Sequence, residues 1–183
     1  MKILILSNYA NGLFLFRKEV ISSFIQKGAE VLISVPFDEN CTKLENLGAR
    51  IVSCNLERRG MNPVKDLKLL KQYQALLKTE APDLILTYTI KPNLYGGIAA
   101  RGCRIPYAMN ITGLGTALEN SGFLGKILLL LYRYVATKAL RVFFQNEGNL
   151  QFMQKHKIAL QNAYLLPGSG VNLKEHPFCP YPS

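Results

Sequence analysis

Asn110, Thr112, Gly113 and Gly115 stand in the run Asn-Ile-Thr-Gly-Leu-Gly-Thr, which can turn a hydroxyl and several backbone N–H groups towards an oxygen-rich ligand. The glycines leave the N–H groups of Gly113 to Thr116 free to point the same way, and Thr112 supplies the hydroxyl. Lys91-Pro92-Asn93 directly follows another apolar run. Pro92 is expected to push Lys91 out of helical geometry and aim its amine at the same place. Asn11-Gly12 and Gln145-Asn146 close two further apolar runs with polar groups. In an open parallel sheet such turns share the carboxyl edge, where ligands bind. Gly96 and Gly97 have a second reading, in which they only let a helix approach the sheet closely.

Several kinds of chemistry find no support. The first strand–helix turn, Ser7-Asn8-Tyr9-Ala10-Asn11-Gly12, has one glycine where a dinucleotide fold needs three, and GxxxxGK[ST] is absent. Cys41, Cys54, Cys103 and Cys179 lack CxxC spacing, and His156 and His176 are far apart, so no metal site and no Cys–His nucleophile is expected. Four unpaired thiols suit a reducing cytoplasm. The formal charge of +10 favours an anionic partner, whether nucleic acid, acidic lipid or a phosphate-bearing substrate. Nucleic acid is disfavoured because the basic residues are scattered, with no arginine-rich run.

The elements that must position these residues follow from pattern. Ile3–Ser7, Glu30–Val35, Arg50–Cys54, Asp83–Thr87, Pro106–Asn110, Val142–Phe144 and Tyr164–Leu166 read as strands. Helices are expected over Phe14–Lys27, Asp38–Gly48, Pro63–Thr79, Tyr95–Arg101, Leu124–Leu140 and Glu147–His156. Gly28 stands just past the first helix and Pro63 opens the third, both in favoured places. The alternation predicts a doubly wound α/β fold: a mostly parallel sheet of six to seven strands with helices on both faces. Residues 1–166 form that domain, and 167–183, with Pro167, Pro177, Pro180 and Pro182, reads as a linker or crossover. Leu124–Leu140 is too short to span a bilayer comfortably. Lys126 and Arg133 lie seven apart on one face, so it is either a buried helix or one that lies on an anionic membrane.

From Thr89 to Asn120, with Val-Phe-Phe-Gln-Asn (142–146) and Leu-Pro-Gly-Ser-Gly-Val-Asn-Leu (166–173), the sequence resembles the amino-terminal half of a bacterial family-4-type glycosyltransferase of the GT-B fold. The similarity is to the branch that builds capsule and lipopolysaccharide units on a lipid carrier, and it runs from Met1 to about Asn172. The resemblance implies that the first turn, with Asn11 and Gly12, faces an acceptor-side cleft between two domains. Phe16-Arg17-Lys18 matches a recurring element of the first helix, so Arg17 either meets an acceptor phosphate or pairs with a surface carboxylate. Lys91, Asn93, Asn110, Thr112, Gly113, Gly115 and Asn146 join that cleft. Arg58-Arg59-Gly60 falls in a loop that relatives hold near the acceptor entrance, though a solvated loop would read the same. Gly168, Ser169, Gly170 and Asn172 match a donor-side hinge. Many relatives carry a histidine near Thr112; this chain has none there, and no catalytic residue is assigned.

The implied activity is retaining transfer of a hexose or acetamidohexose from a nucleotide-sugar donor to a lipid-linked saccharide, without cofactor or metal. Nothing in the sequence corresponds to the donor domain, so these 183 residues alone are expected to bind nucleotide sugars weakly and to be inactive. A cytoplasmic location is expected, or a peripheral one on the inner face of the plasma membrane. The alternatives are half of a nucleotide-sugar epimerase, which would need a paired acid and base, and a non-enzymatic carbohydrate- or lipid-binding module.

Overall fold

Seven apolar runs become seven strands, all parallel, in the order β3-β2-β1-β4-β5-β6-β7. The computed structural model describes residues 1–56, 62–115, 122–173, 175 and 177–179. Arg58, Arg59, Gly60, Thr116, Pro180 and Pro182, singled out above, lie outside the described residues. Along the chain come β1 (Lys2–Leu6), α1 (Ala10–Gln26), β2 (Glu30–Val35), α2 (Cys41–Glu45), β3 (Arg50–Ser53), α3 (Pro63–Glu80) and β4 (Leu84–Tyr88). A π-helical turn (Pro92–Gly96) then runs into α4 (Gly97–Cys103), followed by β5 (Tyr107–Ile111), α5 (Phe123–Ala136), β6 (Arg141–Phe144), α6 (Glu147–Lys155) and β7 (Ala163–Leu165). The chain works outward from β1 to β3, then returns to β4 on the other side of β1. This reversal is a topological switch point, and it opens a crevice at the carboxyl ends of β1 and β4.

Strand period divides the core into two layers. Leu4, Leu6, Leu32, Ile85, Met109 and Phe144 point to the face covered by α3, α4, α5 and α6. Their neighbours Ile3, Ile5, Ile33 and Leu86 point to the face covered by α1 and α2. Apolar residues therefore run continuously along each strand, because both faces of a parallel sheet are buried. Each such side chain contributes about 1.5–3 kcal/mol.

Local chemistry sets the ends of the helices. The Asn62 side chain accepts from Val64 and Lys65 N–H at 3.1 and 3.2 Å, capping α3 ahead of Pro63. Helix α1 starts at Ala10, four residues before the sequence suggests, because extended Tyr9 takes the cap position. Gly12 thus lies inside the first turn, where a β-carbon would sit 3.1 Å from the Tyr9 ring. Helix α2 is shorter than expected, since Asp38 Oδ1 accepts from Asn40 N–H and holds a turn before it. Helix α5 stops at Ala136: the Thr137 hydroxyl donates to Arg133 O at 2.6 Å, and the last N–H groups turn to tighter bonds.

Gly96 and Gly97 are packing glycines. A β-carbon on Gly96 would fall 2.6 Å from Leu6 Cδ1, and one on Gly97 3.0 Å from Val135 Cβ. They let the helical segment after β4 press onto the sheet on one side and α5 on the other.

Candidate functional site

Two cavities open at the carboxyl edge, and their polar groups differ. The larger, about 630 Å³, lies between the ends of β2 and β3 and the first turns of α3. Its charged floor is already paired, for Lys91 Nζ donates to Asp66 Oδ1 at 2.8 Å and both side chains are nearly buried. Burial raises the Tyr95 phenol, and the negative charge of the Asp66 carboxylate beside it raises it further. Gln72 is likewise engaged, accepting from Asn55 N–H at 3.2 Å.

The smaller cavity, about 340 Å³, occupies the switch point. Tyr9, Gly12 and Arg17 come from the start of α1, Thr89 from the end of β4, Thr112 and Gln145 from the turns after β5 and β6, and Ser169 from the tail. Among the described residues no aspartate or glutamate lines it. Arg17 is 9% exposed, its guanidinium 5.5 Å from the centre of the Tyr88 ring and one N–H given to Phe16 O at 2.6 Å. Among the described residues no carboxylate pairs with it. Burial pushes the Tyr88 phenol up, and the Arg17 charge partly opposes this. Thr89 has φ +71°, and its hydroxyl is buried without a hydrogen-bond partner; the Gln145 amide nitrogen is unpartnered too.

The sequence-derived site residues separate into groups. Gly12, Arg17, Thr112 and Ser169 line the smaller cavity, and Asn11 donates to the Tyr9 hydroxyl at 3.0 Å just behind it. Lys91 lies elsewhere, in the larger cavity, and it is helical (φ −64°, ψ −46°) despite the proline after it. Pro92 takes the first position of the π-helical turn, where its missing N–H costs nothing, and the Asp66 pair holds Lys91 in place. Asn93 and Asn110 are buried and serve the fold. Thr87 Oγ1 donates to Asn93 Oδ1 at 2.5 Å, Asn93 Nδ2 to Asn110 O at 3.0 Å and Asn110 Nδ2 to Thr87 O at 3.3 Å. This ring stitches β4, β5 and the π-helical turn together.

Gly113 has open space around it, whereas Gly115 needs its left-handed φ of +72° and a β-carbon there would meet Ile90 Cδ1 at 2.9 Å. Asn146 caps α6 by accepting from Asn149 N–H at 2.8 Å. Gly168 and Gly170 take left-handed φ values of +90° and +73° around Ser169, and Asn172 donates to Glu19 Oε1 at 3.4 Å. With the Lys18–Glu175 ion pair, that contact straps the tail along α1. Thr89, Tyr88 and Tyr9 were not among the residues drawn from the sequence, and Gln145 was seen there only as a polar strand end.

Residues 2–146 match the sequence profile described as Glycosyl transferase 4-like. The chain belongs to this family. A curated relative is the N,N'-diacetylbacillosaminyl-diphospho-undecaprenol alpha-1,3-N-acetylgalactosaminyltransferase of Campylobacter jejuni, 29% identical over 180 residues. The alignment covers 96% of this chain and 48% of the relative, so the chain spans about half the length of the curated relative it matches. The crystal structure of Anabaena Alr3699/HepE in complex with UDP and glucose superposes with a TM-score of 0.70 at 16% identity, over 95% of this chain and 46% of that one. A putative UDP-N-acetylglucosamine 2-epimerase from Listeria monocytogenes gives 0.63 at 12% identity, over 89% and 43%. At these identities the structural likenesses establish the fold. The Rossmann-like fold of this family member thus carries a cavity at its switch point in which the Thr89 hydroxyl and the Gln145 amide nitrogen lack partners among the described residues.

Proposed function

We propose that the chain is the acceptor-side half of a glycosyltransferase that moves a sugar from a nucleotide-sugar donor to a lipid-linked saccharide during assembly of a capsular or lipopolysaccharide unit. The observation that carries this is the family match, together with similarity over 96% of the chain, and 48% of the relative, to an enzyme whose name specifies a diphospho-undecaprenol acceptor. The switch-point cavity supplies what an acceptor needs: a cation, hydroxyls and an amide, with no carboxylate among the described residues of its lining to repel phosphate. Transfer proceeds with retention, and basic groups and helix N-termini balance the developing diphosphate charge. Asn11, Gly12, Arg17 and Thr112 belong to the acceptor side of the cleft, and Gly168, Ser169, Gly170 and Asn172 to the donor-side hinge. The test is incubation of the full-length protein with a radiolabelled nucleotide sugar and lipid-linked acceptor. Label should pass into the organic phase; an epimerised nucleotide sugar with no labelled lipid would move the protein to the epimerase class.

A membrane-facing surface accompanies this reading. Helix α5 buries Leu128, Tyr132 and Val135 and exposes Phe123 (80% exposed), Leu130 and Tyr134 beside exposed Lys126 and Arg133. Arg101 stacks 3.7 Å from the centre of the Tyr134 ring and adds to the basic border. No described helix is long and apolar enough to cross a bilayer. An apolar ridge with cations beside it suits peripheral binding to the anionic inner face of the plasma membrane. Co-sedimentation with phosphatidylglycerol vesicles should fall steeply with added salt and with Leu130→Glu; salt-insensitive binding to neutral vesicles would refute the electrostatic part.

A further inference from the structure

The geometry points to a site for a phosphate or diphosphate group in the switch-point cavity, formed by Arg17, Thr89 and Gln145; it deepens the proposed function by naming the group that the cavity takes. Three independent features converge on it. The first is charge: Arg17 is buried at the cavity wall with no carboxylate partner among the described residues, so most of its N–H groups remain available. A guanidinium taken out of water without a counter-ion is costly unless an anion arrives.

Orphaned donors are the second feature. The Thr89 hydroxyl and the Gln145 amide nitrogen are both shielded from water and lack any partner. Buried polar groups are paired in all but a few cases; Ser34, Tyr73 and Tyr132 are also unpartnered but lie in the packed interior, whereas these two line a cavity. Both residues line the same cavity as Arg17 but follow different strands, β4 and β6, so one helix terminus or loop does not account for them.

Strain is the third. Thr89, a β-branched residue, holds φ +71°, a conformation that suits glycine and that such side chains rarely adopt. Its carbonyl accepts from Asn93 N–H at 2.9 Å, which ties the strained residue to the π-helical turn. A glycine would serve that turn with less strain, so the threonine must supply something the turn does not need, namely its hydroxyl. A fixed positive charge beside two unpartnered groups that can donate, with no acidic residue in the lining among the described residues, favours an anion rich in acceptor oxygens.

Strain and orphaned donors together give a signature that a structural role cannot mimic. In the 183-residue chain, inorganic pyrophosphate should bind, as read by calorimetry and by phosphorus NMR. Thr89→Gly should weaken that binding at least fivefold while raising the melting temperature by about 2–4 °C. Gln145→Met should weaken it similarly without lowering the melting temperature, and Arg17→Met should reduce it tenfold or more. Uridine diphosphate and geranyl diphosphate then separate the two sources. Tighter binding of the first assigns the site to the donor diphosphate, and tighter binding of the second to the acceptor diphosphate. Wild-type protein that ignores pyrophosphate overturns the proposal. So does a Thr89→Gly or Gln145→Met variant that loses thermal stability and keeps wild-type affinity. Pyrophosphate binding that survives a failed transferase assay would sink the enzymatic reading and leave this site standing.

Discussion

The two cavities of the carboxyl edge are built from the same kinds of residue and treat them oppositely. In the larger, a lysine and an aspartate neutralise each other, and the aspartate's charge raises a nearby tyrosine phenol. In the smaller, among the described residues, an arginine has no carboxylate, and a threonine and a glutamine have donors with nothing to receive them. Size would choose the first as the binding site, and satisfaction of polar groups chooses the second. A charge that already has its partner does a structural task, whereas one without a partner stores binding energy for something else. The tyrosines record the same contrast. Arg17 opposes the rise of the Tyr88 phenol, and Asp66 adds to that of Tyr95.

If Lys91–Asp66 is structural, breaking it should give the largest effect. Asp66→Ala leaves the Lys91 charge buried alone, and urea denaturation should show a loss of about 3–5 kcal/mol. The double variant Asp66→Leu, Lys91→Met should recover most of that loss; a double variant as unstable as the single would mean that the carboxylate has a further role. Next comes Gly96→Ala, whose methyl must displace Leu6, at about 1–3 kcal/mol in the same measurement.

An alkaline ramp should show a graded effect. Burial raises the Tyr73 and Tyr132 phenols and takes that of Tyr107 to about 12, above the ordinary value of 10.0. A raised folded value means that this stability is complete below about pH 10, the unfolded value, and is lost as pH rises through the folded ones. The urea midpoint should therefore hold up to about pH 9 and fall beyond pH 10; a midpoint that rises there contradicts the burial. The smallest effect belongs to Gly113→Ala, which meets open space and should change stability by less than about 0.5 kcal/mol. A larger change would show that the turn after β5 is more constrained than its surroundings suggest.

The sheet was legible because period and punctuation reinforce each other. Continuous apolar runs, Gly28 past α1 and Pro63 opening α3 located the seven strands and most helices within a few residues. The π-helical turn was not legible, since nothing in Pro-Asn-Leu-Tyr-Gly distinguishes wide bonding from α-helical bonding until Asn93 finds Thr87 and Asn110. For the site, residue type revealed the edge but not the partners. Asn93, Asn110 and Asn146 look as available in the sequence as Thr112, yet each spends its amide on the fold. Thr89 was hidden for the converse reason. A threonine at a strand end is unremarked until its backbone angle and its solitary hydroxyl are known.

An interior strand, β1, is made before the strands it pairs with. Residue Ile3 pairs with Val31 on one side and with Leu84 on the other. At about 5–20 residues per second, β1 emerges from the ribosome roughly 4–16 s before β4 has been synthesised. Throughout that interval one edge of an almost wholly apolar strand has no neighbour, and every pairing in the sheet waits on a crossover rather than a hairpin. The arrangement that creates the crevice therefore also creates the chain's most aggregation-prone moment, and the yield of folded protein in cells should depend on chaperones that shield residues 2–6 until β4 arrives.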